Sequence, residues 1–99
     1  MSKPTSLTHP GLILRDEFFQ PLGITQLAAA KATGIPQSRL SEILAGRRSI
    51  TADTAARLGR FFQVDPRSWL NLQATFDLRE LERSHGRELA RVLPAVHVA

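Results

Sequence analysis

Cysteine is absent from the 99 residues, so neither a disulfide framework nor thiolate chemistry is open to the chain. Long apolar runs are missing as well: Leu12 to Leu14 and Ala28 to Ala30 fall far short of the roughly 20 residues a membrane helix needs. Met1 to Thr8 lacks the apolar centre of a signal peptide, which leaves a cytoplasmic protein with no membrane partner as the expectation. The three histidines, His9, His85 and His97, are scattered without metal-ligand spacing. No nucleophile motif or carboxylate pair accompanies the serines and histidines, so the chain is expected to be no enzyme and to hold no metal or cofactor. Strand-like alternation of useful length, internal repeats and low-complexity tracts are also lacking.

What is present is positive charge in one place. Between Lys31 and Arg60 lie six cations (Lys31, Arg39, Arg47, Arg48, Arg57, Arg60) against two anions (Glu42, Asp53), and this segment carries the whole net charge of +4. The rest of the chain has seven charges of each sign. A basic excess confined to one segment is what phosphate contact requires, whereas arginines spread over amphipathic helices would be only a solvated face. The length suits one domain, which at this size buries about 60–70% of the surface its unfolded chain exposes.

The centre of the basic segment, Gly34 to Thr51, reads as a tight turn, a short helix with a polar tip, and a basic exit loop. Just before it, Thr25 to Thr33 reads as a short alanine-rich helix, and Gly34 supplies the left-handed backbone that lets two helices meet steeply. Together they form a helix-turn-helix. In its second helix Leu40, Ile43 and Leu44 bury one face, which leaves Gln37, Ser38, Arg39, Ser41 and Glu42 pointing outward or toward the tip.

Helices joined by short loops follow along the chain, and the expected fold is all-α with five helices. Pro10 suits the first turn of a helix reaching about Gln20, with Ile13, Leu14 and Phe18 as its buried stripe and Pro21 and Gly23 as its end. Thr25 caps the second helix, Pro36 precedes or begins the third, and Gly46 stands where a left-handed C-terminal cap belongs. Thr51 caps a fourth through about Phe62, with Asp53 in its first turn and Ala55, Leu58, Phe61 and Phe62 inward. Asp65-Pro66 starts a fifth that carries Trp69, Leu70, Leu72, Phe76, Leu78 and Leu81 toward Ser84, and Gly86 breaks the pattern. Glu88 to Val92 suit one further turn before Pro94, and Val96-His97-Val98 is too short to assign. The expected divisions are a flexible N-terminus over 1–8, a helix-turn-helix domain over 9–85 and a tail over 86–99. Trp69 reads as core with Leu72 and Phe76, while Asn71 and Gln73 read as bonding to local backbone, Gln73 having a partner protein as its alternative.

The sequence resembles the HigA/VapI-type antitoxins, a branch of the lambda-repressor-like (Xre) helix-turn-helix family. The resemblance rests on His9-Pro10-Gly11, on Pro21-Leu22-Gly23-Ile24-Thr25-Gln26, on the run from Arg39 through Gly46-Arg47-Arg48-Ser49-Ile50-Thr51 to Ala55, and on Trp69-Leu70-Asn71-Leu72-Gln73. Their order and spacing cover residues 9 to 78. The chain departs from the usual pattern at Ala45, where the family often has Asn, and in its alanine-rich second helix. The resemblance implies a dimer that binds a pseudo-palindromic operator in double-stranded DNA, represses its own operon, and neutralises a HigB-like toxin, an RNase related to RelE that cuts translated mRNA. The alternative is a stand-alone Xre repressor without a toxin. A third reading, an adaptor that has lost DNA affinity, is opposed by Gln37, Arg39, Arg47 and Arg48.

Chemistry then distributes the roles. Gln37 can donate and accept at once, which suits the adenine edge or a phosphate, and Arg39 can fork onto guanine or hold a phosphate. Ser38 shares their tip, and Glu42 either accepts from cytosine or pairs internally with an arginine. Gln26, where family members meet phosphate, is joined by Thr25, Ser41, Arg47, Arg48, Ser49 and Thr51 as expected backbone contacts. Leu70, Leu78 and Leu81 offer more apolar positions than one small core absorbs, and are the dimer candidates. On the first helix Leu12 and Phe19, seven residues apart, fall to one side of the buried stripe; with Arg15 and Asp16, and the tail from Arg87 to Ala99, they are the toxin-binding candidates.

Overall fold

The computed structural model describes residues 8–97, so the expected flexible N-terminus, apart from Thr8, and Val98 and Ala99 of the tail lie outside the described residues. The described residues form five helices and a closing 3-10 turn, Ala95–His97, with no strand among them.

Helix α1, residues 10–22, joins an α-helical turn Pro10–Leu14, a π-helical turn Arg15–Phe19 and an α-helical turn Gln20–Leu22. It starts at Pro10, where a missing N–H costs nothing, and His9 caps it by accepting the Gly11 N–H at Nδ1, 2.9 Å away. The π turn sets the Gln20 N–H on the Arg15 carbonyl. It falls just before Pro21, whose ring in a regular helix would press on the carbonyl four residues back. Pro21 therefore does not end the helix, which continues to Gly23 in a left-handed conformation (φ 64°).

That widened turn overturns one expectation. An extra residue in the turn rotates everything beyond it by about 100°, so the seven-residue alignment of Leu12 with Phe19 fails. Phe19 turns into the core, only 4% exposed, while Phe18 is half-buried at its rim against Phe62 and Trp69, at centroid distances of 5.1 and 5.6 Å.

Helices α2 (Gln26–Thr33) and α3 (Gln37–Leu44) form the helix-turn-helix, joined by Gly34 (φ 77°) and the buried plug Ile35. Helix α4 (Ala52–Phe62) buries Thr54, Ala55, Leu58 and Gly59, with Phe61 and Phe62 half-buried. Helix α5 starts at Pro66, with Asp65 capping it through the Arg67 N–H, and runs to Ala90. The regular helix is interrupted at His85 (φ −131°, ψ 22°), next to Gly86, where two helical segments meet across a kink. A glycine costs a helix about 1 kcal/mol without forbidding it, and the Glu88 region forms the helical segment beyond that kink.

Leu14, Phe19, Ala29, Ile35, Leu40, Ile43, Leu44, Ile50, Ala55, Leu58 and Trp69 make the core, onto which Phe18, Ile24, Phe61, Phe62, Val64 and Leu70 pack. Helix α1 crosses α3 so closely at Gly11 that a β-carbon there would collide with the Ile43 carbonyl. Leu72, expected inside, is 39% exposed, and Phe76 is half-buried, edge-on to His9 at 5.1 Å. Beyond Phe76, α5 leaves the body, with Leu78, Leu81, Leu89, Val92, Leu93 and Val96 exposed.

Candidate nucleic-acid interface

The tip of α3 is shaped by what does not cap it. Pro36 occupies the N-cap with no side-chain hydrogen bond to the helix, so the first-turn amides have no side-chain cap. Gln37 and Ser38 are exposed there, and Arg39 is half-exposed one residue on. On the opposite face Leu40, Ile43 and Leu44 are 0%, 0% and 2% exposed, which fixes the rotation of α3 about its axis.

The exit loop is held at both ends. At its start Gly46 (φ 77°) lets the Arg47 N–H return to the Glu42 carbonyl at 2.9 Å, a glycine-dependent helix stop. At its end Ile50 is buried and its N–H donates to Gln73 Oε1 of α5 at 2.9 Å, while Gln73 Nε2 donates to Asp77. Arg47, Arg48 and Ser49 project into solvent between these anchors. Gln73 was expected to bond to local backbone, and instead reaches an amide 23 residues earlier. Sequence reasoning could not see this, because a lone glutamine on a helix carries no mark of its partner.

Arg39, Glu42, Arg47, Arg48, Ser49, Thr51, Asp53 and Thr54 line one shallow groove of about 690 Å³. Within it Arg48 Nη2 donates to Glu42 Oε1 at 3.1 Å, the internal pairing that was one of the two roles open to Glu42. Arg39 Nη1 lies 3.8 Å from Asp53 Oδ2, and Arg57 Nε donates to both Asp53 oxygens at 3.1 and 3.2 Å. Ser41, on the same helix, is half-buried. Thr51 caps α4 through the Thr54 N–H. At the start of α2 Thr25 Oγ1 accepts the Ala28 N–H at 3.1 Å, with Gln26 half-buried beside it. Of the candidate DNA residues, Arg39 and Glu42 of α3, Arg47, Arg48 and Ser49 of the exit loop and Thr51 at the α4 start therefore share one groove, while Gln37, Ser38 and Ser41 are not among its lining residues.

The remaining candidates separate from this group. Leu12 is half-buried and lies over Gly46, where a β-carbon would sit 3.4 Å from its Cγ, so it packs against the exit loop. With Phe19 in the core, Leu12 and Phe19 form no apolar surface patch. Arg15 and Asp16 remain accessible as an ion pair at 2.8 Å. Leu70 packs on the core, which leaves Leu78 and Leu81, 65% and 42% exposed, as the open dimer candidates. Among the described residues no cluster of three or more metal-ligating side chains occurs, and no helix is long and apolar enough to cross a membrane. Burial holds the His9 imidazole below its ordinary value, against an opposing pull from the Asp77 carboxylate.

Residues 17–69 match the helix-turn-helix family. Virulence-associated protein I of Dichelobacter nodosus is 49% identical over 75 residues, which span 76% of this chain and 69% of that protein. The solved addiction module antidote protein of the HigA family from Coxiella burnetii superposes with a TM-score of 0.81 at 40% identity, over 89% of this chain and 97% of that one. The Pseudomonas aeruginosa antitoxin HigA, solved with the higBA promoter, gives 0.83 at 35% identity over 89% and 97%. An all-α body with this helix-turn-helix, matched over these lengths, establishes that the chain belongs to the Xre-type helix-turn-helix family, in its HigA/VapI-like antitoxin branch.

Proposed function

We propose that this protein is the DNA-binding antitoxin of a HigBA-like module, a cytoplasmic dimer that represses its own operon and neutralises an mRNA-cleaving toxin. The observation that carries the reading is the uncapped tip of α3, with Gln37, Ser38 and Arg39 accessible, flanked by Arg47, Arg48 and Ser49 on a loop pinned by Gln73. Gln37 and Arg39 read bases, with Ser38 beside them at the tip and Glu42 further along α3; Arg47, Arg48, Ser49, Ser41, Thr51, Thr25 and Gln26 hold the phosphate backbone. The relative solved with its promoter supports the DNA half of the reading, and the antitoxin relatives support the toxin half.

One α3 tip reaches only a few base pairs, so specific binding calls for two copies with their reading helices about 34 Å apart, one DNA turn. The direct test titrates a duplex spanning the protein's own promoter beside a random duplex. The promoter should bind about a thousandfold or more tighter; equal affinities overturn the DNA half. Co-expression with the neighbouring toxin gene tests the rest. Restored growth supports neutralisation, and promoter binding without protection makes the chain a stand-alone repressor.

A further inference from the structure

Asp53 suits the first turn of α4, where the helix dipole favours an anion, but it also faces the cations of the groove. It stands in the groove that the DNA reading assigns to phosphate, where a carboxylate repels the ligand. Its contacts explain what it does there. Both oxygens accept from Arg57 Nε, and Arg57 Nη1 donates to the Thr33 carbonyl at 2.9 Å, the last residue of α2. Asp53 is thereby fixed relative to the end of α2, and from that fixed place it faces Arg39 of α3 at 3.8 Å. The other groove carboxylate, Glu42, is occupied with Arg48.

We propose that Asp53 is a positioning residue for sequence reading: held by Arg57, it aims the Arg39 guanidinium from one side and leaves the opposite donors for a base. A guanidinium has five donors in a fixed fork, so a carboxylate on one edge narrows the directions of the other edge without using it up. At 3.8 Å the pairing is loose enough for Arg39 to adjust when a base arrives. The proposal rests on Arg39 reading a base.

Two opposed consequences make it testable. Removing the Asp53 charge favours binding to every DNA, whereas losing the aim of Arg39 disfavours binding to the operator alone. Affinities for operator and random duplexes are measured for wild type, Asp53→Asn, Arg39→Ala and the double variant, with thermal unfolding confirming that each is folded. Asp53→Asn should bind random DNA as well as or better than wild type, while its operator-to-random ratio falls about five- to tenfold, part of what one base contact contributes. In the Arg39→Ala background the same change should leave the ratio where it stands. A ratio unchanged by Asp53→Asn overturns the proposal and makes Asp53 a plain charge. A ratio that falls equally in both backgrounds also overturns it, placing the effect in the fold of α2 and α4. A ratio untouched by Arg39→Ala alone removes the base contact itself, and the proposal with it. Should Asp53→Asn unfold, Asp53→Ser serves in its place.

Discussion

A lost phosphate contact and a lost base contact leave different traces. Arg47→Ala and Arg48→Ala should each weaken operator and random DNA alike, and flatten the slope of log affinity against log salt by about 0.9 per contact removed. A salt titration with an unchanged slope would assign that arginine to solvent. His9 gives a prediction in pH. Its folded value lies below the ordinary 6.5, so on acidification the unfolded chain takes up a proton before the folded one does. Stability from this group is complete above about pH 6.5 and is lost as the pH falls through the lower folded value; Asp16 and Glu80, held below their ordinary carboxylate values by Arg15 and Arg83, act only further down. His9→Asn keeps a capping acceptor without the titration, and denaturant midpoints between pH 7.5 and 5 should fall less for it than for wild type. An identical fall would exclude His9 as the source. The outward residues of α3 were legible in the sequence because helical period alone fixes which positions are not core. The burial of His9 was not, since it involves a tertiary contact with Phe76, distant in sequence.

At the scale of elements, the stops and starts were legible wherever a single residue decides backbone geometry: Thr25, Gly34, Gly46, Thr51 and Asp65 all stand at the expected ends. One element escaped. The π turn in α1 answers to Pro21 inside a continuing helix, and periodicity read at 3.6 residues per turn cannot register it, which is why Phe18 and Phe19 exchanged roles. The break expected at Gly86 appears as a kink at the preceding residue, His85, beyond which the helix resumes to Ala90. The exit loop depends on a tertiary bond, so Gln73→Ala, which strands the buried Ile50 amide, should cost about 1–3 kcal/mol of stability. Operator affinity should fall with it; a loop held by Gly46 alone would show neither effect. Gly11→Ala should destabilise by about 1–3 kcal/mol through its collision with the Ile43 carbonyl, read as a lowered Tm.

Over the whole molecule the core occupies the segment from α1 to the start of α5, and the groove lined by Arg39, Arg47 and Arg48 and the projecting end of α5 are built from different residues. The exposed Leu78 and Leu81 lie on that end, and the dimer reading expects a solution mass of twice 11.0 kDa at tens of micromolar, halved by Leu78→Glu with Leu81→Glu. A wild-type monomer, free and on DNA, would contradict it. The claim on which the rest depends is that α3 reads sequence, and the operator-to-random affinity ratio tests it most directly. For Gln37→Ala and Arg39→Ala the operator should weaken by about 1–3 kcal/mol while random DNA changes far less. Equal losses on both duplexes would mean that α3 touches DNA without reading it.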